Sequence, residues 1–186
     1  MKKTLERIIM AFVAVLVIAG CREKKETNVI ITTRPVETVK KDTVEMQKVV
    51  NENTVKWKGA EYNVCVTRQS DKSLPLTEDE NETKYYDNKI SMVVTHADGT
   101  VFINKMFTKA DFKGLVADDF YKKKALVGLV FDKVDGNCLK FAASVGSPDR
   151  FSDDFIPFEL TVTPSGEVSI KLSEQNLVDT TPEDSI

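Results

Sequence analysis

The sequence has little of what reaction centres are usually built from. It contains one histidine, His96, and three cysteines, with no Cys-x-x-Cys pair. That argues against the usual zinc sites, which need clustered thiolate or imidazole ligands. A serine or cysteine nucleophile would have only His96 as its base, and no nucleophile-elbow motif accompanies it. Strong charge of one sign is missing too: the formal net charge is -3, with acidic and basic residues interspersed. Such a balance argues against a nucleic-acid partner and favours solubility. No apolar run reaches the roughly 20 residues that a membrane-spanning helix requires, since Ile8–Ile18 stops short. The expectation is a protein that is not an enzyme, with no catalytic residue, no metal and no cofactor.

The short apolar run has its own meaning. It follows Lys2, Lys3 and Arg7 and leads into Ile18-Ala19-Gly20-Cys21. A positive start, an apolar core and small residues at the cut site form an export signal over residues 1–20. With a cysteine directly after the cut, the segment resembles the lipobox of bacterial lipoproteins. The resemblance implies a diacylglyceryl thioether on Cys21, cleavage before it, and acylation of the new amino terminus. Several acyl chains, each buried CH₂ worth about 0.8 kcal/mol, anchor a protein stably to a membrane.

Residues 21–53 read as the lipidated terminus and a tether. Arg22–Asn53 holds no aromatic residue and a single proline, Pro35, so ordering entropy is poorly offset there. Val44, Met46, Val49 and Val50 could begin the folded part as a strand or as one helical turn, because their spacing fits neither period. Residues 174–186 are again polar and acidic and read as a loose tail. Between them, residues 54–173 are dense in Val, Ile and Phe, enough for one domain with one core.

Alternation gives the class of that domain. Val55 and Trp57, then Tyr62, Val64 and Val66, occupy alternate positions, and the phase change at Gly59-Ala60 suggests one strand with a bulge or bend. Residues 69–88 read as a long solvated loop. Three hairpins follow. A two-residue turn at Asp98-Gly99 pairs Val94 with Ile103 and Ile90 with Phe107. A turn at Asp135-Gly136 pairs Val130 with Phe141, Gly128 with Ala143 and Leu126 with Val145. A three-residue loop, Pro164-Ser165-Gly166, pairs Val162 with Val168 and Leu160 with Ile170, which keeps every apolar partner on one face.

One helix interrupts the strands. Thr108 caps it with Asp111 completing the box, and Phe112, Leu115, Val116 and Phe120 form its apolar stripe. Lys122, Lys123 and Lys124 at its end complement the helix dipole better than they make a basic patch. The expected fold is mainly β: about seven antiparallel strands in consecutive hairpins, arranged as a curved sheet, sandwich or partly open barrel, with one packed α-helix.

Trp57-Lys-Gly59-Ala-Glu-Tyr62, Tyr86-Asp87-Asn88, Phe107-Thr108-Lys109 with Phe112, Gly128-Leu-Val-Phe-Asp132 and Ser147-Pro148-Asp149 occur in that order. The series resembles a Bacteroidales family of small lipoproteins classified as a domain of unknown function. The resemblance spans Trp57 to Lys171 and implies fold and location without an active site. It suggests an outer-membrane anchor. Acidic residues soon after the lipid cysteine accompany surface export in Bacteroidetes, and the mixed run Arg22-Glu23-Lys24-Lys25-Glu26 departs from that pattern, pointing to the periplasmic face.

The remaining cysteines, Cys65 and Cys138, fall on the outward parity of their strands. They either form a disulfide, which requires Cα atoms within about 7 Å, or stay as two partly covered thiols. Asp-Thr-Val and its relatives at Thr43, Thr180 and Ser185 resemble the acceptor pattern of O-glycosylation in Bacteroidetes. Glu78, Asp79, Glu80 and Glu82 have oxygens suited to calcium but lack the spacing of a known loop. His96, beside a turn, reads as a surface residue, and Asp118-Asp119 and Asp153-Asp154 as solvated charge. Two roles fit best. The first is a binding module for an envelope protein or glycan, with Tyr85, Tyr86 and Phe151 as aromatic anchors. The alternative is a small-ligand carrier with an apolar cavity between sheet and helix, lined by Trp57, Val64, Phe102 and Phe141.

Overall fold

The computed structural model describes residues 42–174. Its strands are β1 (Val49–Trp57), β2 (Ala60–Ser70), β3 (Leu76–Glu78), β4 (Lys84–Tyr86), β5 (Asn88–His96), β6 (Val101–Phe107), β7 (Ala125–Asp135), β8 (Cys138–Gly146), β9 (Phe155–Val162) and β10 (Val168–Leu172). Between β6 and β7 lie a 3₁₀ turn, Lys109–Phe112, and a short helix α1, Asp118–Lys123. Two four-stranded antiparallel sheets, ordered β1-β2-β5-β6 and β10-β9-β8-β7, carry most of the mass, and β3-β4 forms a small third sheet. Among the described residues no closed barrel forms. β1 begins at Val49, so the end of the 21–53 segment is strand.

The inner faces of both large sheets contribute to one core. Val55, Trp57, Tyr62, Val64, Val66, Ile90, Met92 and Val94 come from the first sheet, and Leu139, Phe141, Val145, Phe158, Leu160 and Val162 from the second. Alternate residues enter the core because successive side chains on a strand point to opposite faces. Each fully buried side chain of this kind stabilises the fold by about 1.5–3 kcal/mol.

Turn chemistry sets the register. At Gly59 the chain makes a hairpin rather than a bent strand: Lys58 (φ 53°) and Gly59 (φ 76°) are both left-handed, and Trp57 pairs with Ala60. Two positive φ values make the primed turn whose twist suits a two-residue hairpin. The Pro164-Ser165-Gly166 loop has the expected register, with Val162 opposite Val168 and Leu160 opposite Ile170.

The other two turns differ from the simple count, and bulges absorb the difference. His96 N–H bonds Thr100 O at 2.8 Å, which makes a three-residue turn of Ala97-Asp98-Gly99. Phe102 is then the extra residue in β6, and Val94–Ile103 and Ile90–Phe107 pair as expected. In β7–β8 the turn is Gly136-Asn137, with Asp135 opposite Cys138, and bulges fall at Asp132 and Val127. Leu126 still faces Val145, but Gly128 pairs with Ser144 and Val130 with Ala142. A bulge inserts one residue against none on the partner, so pairs between the two bulges shift by one. Leu129 and Phe131 then take the inner face, leaving Val130 exposed.

Residues 69–88 are not one open loop. β2 runs on to Ser70, and β3 and β4 close a hairpin around Asp79, whose carboxylate accepts the N–H groups of Asn81 (2.8 Å) and Thr83 (2.9 Å) and the Tyr85 hydroxyl (3.2 Å). Burial pushes the Asp79 carboxyl up, but these donors outweigh it and hold it below the ordinary aspartate range. The expected single helix is also broken. Asp111 accepts the Thr108 N–H at 2.8 Å, but Gly114 turns left-handed (φ 86°) and splits the segment into two short pieces. Phe112 still enters the core, with Leu115, Val116 and Phe120 packed against it. No helix among the described residues is long and apolar enough to cross a membrane.

Candidate functional site

Two groups of charges are withdrawn from solvent at the same end of the sheets, and their partners differ. The first is a closed node. Asp87 is 2% exposed and accepts the N–H groups of Asn88 (2.8 Å) and Leu126 (2.9 Å). Its other oxygen lies 3.3 Å from Lys109 Nζ, which donates to Lys124 O at 2.6 Å. Asn88, fully buried, donates to Leu126 O at 2.8 Å and accepts the Ser70 hydroxyl at 3.4 Å. Burial pushes the Asp87 carboxyl up, opposed by Lys109 and the two N–H donors. The node stitches β5 to β7, one sheet to the other, and to the start of the 3₁₀ turn. Two segments that carry the family resemblance, Tyr86–Asn88 and Phe107–Lys109, meet there, which explains them as structural.

A clamp lies beside it. Lys124, nearly buried, pairs with Glu80 at 2.8 Å and with Asp154, and the Ser147 hydroxyl donates to Glu80 at 3.0 Å. The hydrogen bond from Lys124 is the main cause that holds the Glu80 carboxyl down to about 2. Three of the four residues of the acidic run are therefore engaged: Asp79 with its N–H donors, Glu80 in the clamp, and Glu78 with Lys84 and Lys123. Among the described residues no cluster of His, Cys, Asp and Glu could hold a metal.

The clamp holds one wall of a surface cleft of about 570 Å³. Segment 44–47, Arg68 at the end of β2, Tyr85, Val127 and loop 147–155 enclose it. The loop returns tightly. Ser147 N–H bonds Asp154 O at 2.8 Å, and a Cβ on Gly146 would stand 2.4 Å from Phe155 Cβ. Asp149 accepts the Phe151 N–H at 3.0 Å, which fixes the turn that presents Phe151, 81% exposed, with the Arg150 guanidinium 4.5 Å from its ring centre. Phe155 is half-exposed beside it.

Arg68 is the unusual member. It follows Tyr62, Val64 and Val66 on the inner parity of β2, so the strand carries a cation where it carried core residues before. Nη1 donates to Val127 O at 2.5 Å and Nη2 to Gln47 O at 3.1 Å. The first acceptor is available because Val127 is the bulged residue of β7. The buried Nε has no partner, and no carboxylate among the described residues pairs with the guanidinium. Burial accordingly pushes its pKa down.

The fold and these sites can be set against known families. The family model described as a domain of unknown function (DUF4738) matches residues 30–170. The chain belongs to that family. No curated protein matches it.

The residues singled out in the sequence are scattered. Cys21, Thr180 and Ser185 lie outside the described residues; Thr43 lies just before the folded part, half-buried. Cys65 and Cys138 are separate, half-buried thiols, one on β2 of the first sheet and one on β8 of the second. Tyr85 and Phe151 do come together at the cleft, whereas Tyr86 lies under Lys72. His96 is not a plain surface residue: its ring lies 4.7 Å from that of Tyr62. Trp57, Val64 and Phe141 are core residues, and Phe102 closes against Trp57 at 5.2 Å. Arg68 was not singled out at all, although the Tyr62-Val64-Val66 alternation points to it.

Proposed function

We propose that this chain is an outer-membrane lipoprotein of a Bacteroidales cell envelope, anchored by lipid on Cys21, and that its β domain is a non-enzymatic binding module. The cleft bounded by Arg68 and loop 147–155 is the binding site. One observation carries the reading: one open apolar-walled cleft is lined both by a strongly exposed phenylalanine, Phe151, and by the half-buried Arg68 guanidinium, which has no counter-ion among the described residues. Aromatic residues and arginine are the side chains that most often dominate recognition. The lipobox and the mixed charge of residues 22–26 support the location. The carrier alternative loses its internal cavity on this reading, because the residues expected to line it are core, and a ligand would sit at the surface cleft.

The test is photo-crosslinking in intact cells from a photoreactive residue placed at position 151. A reproducible adduct that disappears in Cys21→Ala supports an anchored binding module. Adducts unchanged by Cys21→Ala, or found only from a control position on the outer face of β9, contradict it.

A further inference from the structure

We propose that the cleft takes a small amphipathic organic acid, with its anionic group at Arg68 and its apolar body against Phe151 and Phe155. The inference rests on the reading of the cleft as the binding site and adds the class of ligand.

The argument begins with unequal pairing. Lys109 and Lys124 are the other cations drawn out of solvent around this end of the sheets, and each has a carboxylate within 3.3 Å. Arg68 has two carbonyl oxygens and no anion. A guanidinium carries five N–H donors in a planar fork that matches carboxylate and sulfonate oxygens, and here two are engaged. A charge partly removed from water is costly unless paired, so an incoming anion gains more at Arg68 than at an exposed lysine. Two of the three acidic groups lining the cleft are paired with lysines, and the third is turned to a backbone donor rather than to Arg68. Glu45 pairs with Lys72 and Asp154 with Lys124, and Asp149 is held by the Phe151 N–H.

Size and surface give the rest. A volume of about 570 Å³ lies within the roughly 300–1,000 Å³ of small-molecule sites. Phe151 is no part of the core, so its exposure is unexplained by folding, and together with Phe155 it gives the cleft an apolar wall, with the exposed Arg150 guanidinium lying over the Phe151 ring. A neutral glycan would leave the guanidinium unpaired. A nucleic acid would meet a protein of the same sign.

The probes are anilinonaphthalenesulfonate and N-phenylnaphthylamine, which share one ring body and differ in the sulfonate. They are titrated by fluorescence into the full chain carrying Cys21→Ala. The expected result is that the sulfonate binds at least about tenfold tighter, the scale of a charge-assisted hydrogen bond. Arg68→Met removes the preference, Phe151→Ser weakens both probes, and decanoate displaces the sulfonate. Equal affinity of the two probes, a preference surviving in Arg68→Met, or displacement by an acidic peptide and not by decanoate overturns the ligand class. Phe151→Ser alters an exposed side chain, so it keeps the test decisive if Arg68→Met folds poorly. Amide NMR shifts separate the two levels of the argument. Both probes shifting Gln47, Val127 and residues 147–155 equally sinks the anion and spares the cleft, whereas no shift there sinks the cleft itself.

Discussion

Asp87–Lys109 and Arg68 lie within one end of the same sandwich of sheets and have opposite bookkeeping. In the first, the two charges meet each other, and the N–H groups of Asn88, Leu126 and Lys109 find carboxylate and carbonyl oxygens. In the second, a guanidinium is drawn into the end of β2 with two carbonyls and nothing of opposite sign. Buried ionic groups that are fully satisfied are consistent with a structural role. One left half-satisfied at the mouth of a cleft is a candidate for a partner from outside. The comparison also separates the segments that suggested the resemblance: Asp87, Asn88 and Lys109 at the node hold the fold, and Ser147-Pro148-Asp149 shapes the cleft wall.

The comparison can be broken most forcefully at the node. Asp87→Ala leaves Lys109 buried without a counter-ion and two N–H groups without an acceptor, and it should cost about 3–5 kcal/mol. Urea unfolding followed by circular dichroism measures this. A loss under about 1 kcal/mol would mean that the node is no stitch. Adding Lys109→Met to Asp87→Ala should restore part of the loss, since the unpaired charge goes with it.

Next is the loop. Gly146→Ala puts a Cβ 2.4 Å from Phe155 Cβ and 2.6 Å from Asp154 O, and such overpacking costs about 1–3 kcal/mol. Its specific signature is displaced amide resonances in residues 147–155, with the β1–β2 hairpin unchanged.

The clamp gives a pH dependence. Glu80 is held at about 2 in the folded protein against an ordinary value of 4.5, so the unfolded chain binds its proton first as pH falls. Its stabilisation is complete above about 4.5 and is lost on descending towards about 2. The effect is small, because Glu80 is exposed and salt screens it. Midpoints of urea unfolding at pH 5.5 and pH 3 should differ less in Glu80→Gln than in the native chain. An identical pH slope in the two would show that Glu80 does not bear the clamp.

Smallest of all should be the change at Arg68. Arg68→Met exchanges an unpaired cation for an apolar side chain of similar length, and in the absence of ligand the stability should move by no more than about 1 kcal/mol.

Much of this architecture was legible from alternation and turn residues, and the exceptions have a common cause. Period-two patterns locate core faces correctly wherever the ladder is unbroken, as from Ile90 to Val94 and from Phe158 to Val162. They fail between Asp132 and Val127, where paired bulges shift the register and then return it. Gly59 was misread because a bend and a primed hairpin both reverse apolar phase, and only the φ values of Lys58 and Gly59 distinguish them. The helix broke because Gly114 sits where a continuous stripe required a helical residue. Tyr85 and Phe151 were legible as exposed aromatics. Arg68 was not, because a lone arginine after a strand looks like a solvated end until the bulge at Val127 supplies its carbonyl.

The most direct test of the contrast is the unfolding midpoint of the native chain and of Arg68→Met, each with and without anilinonaphthalenesulfonate. At about a hundred times its dissociation constant a ligand bound only to the folded state adds about 2.7 kcal/mol. The account predicts that gain in the native chain and a much smaller one in Arg68→Met, whose unliganded stability is nearly unchanged. Equal gains in both, or a large unliganded loss in Arg68→Met, would make Arg68 one more structural stitch and contradict the account.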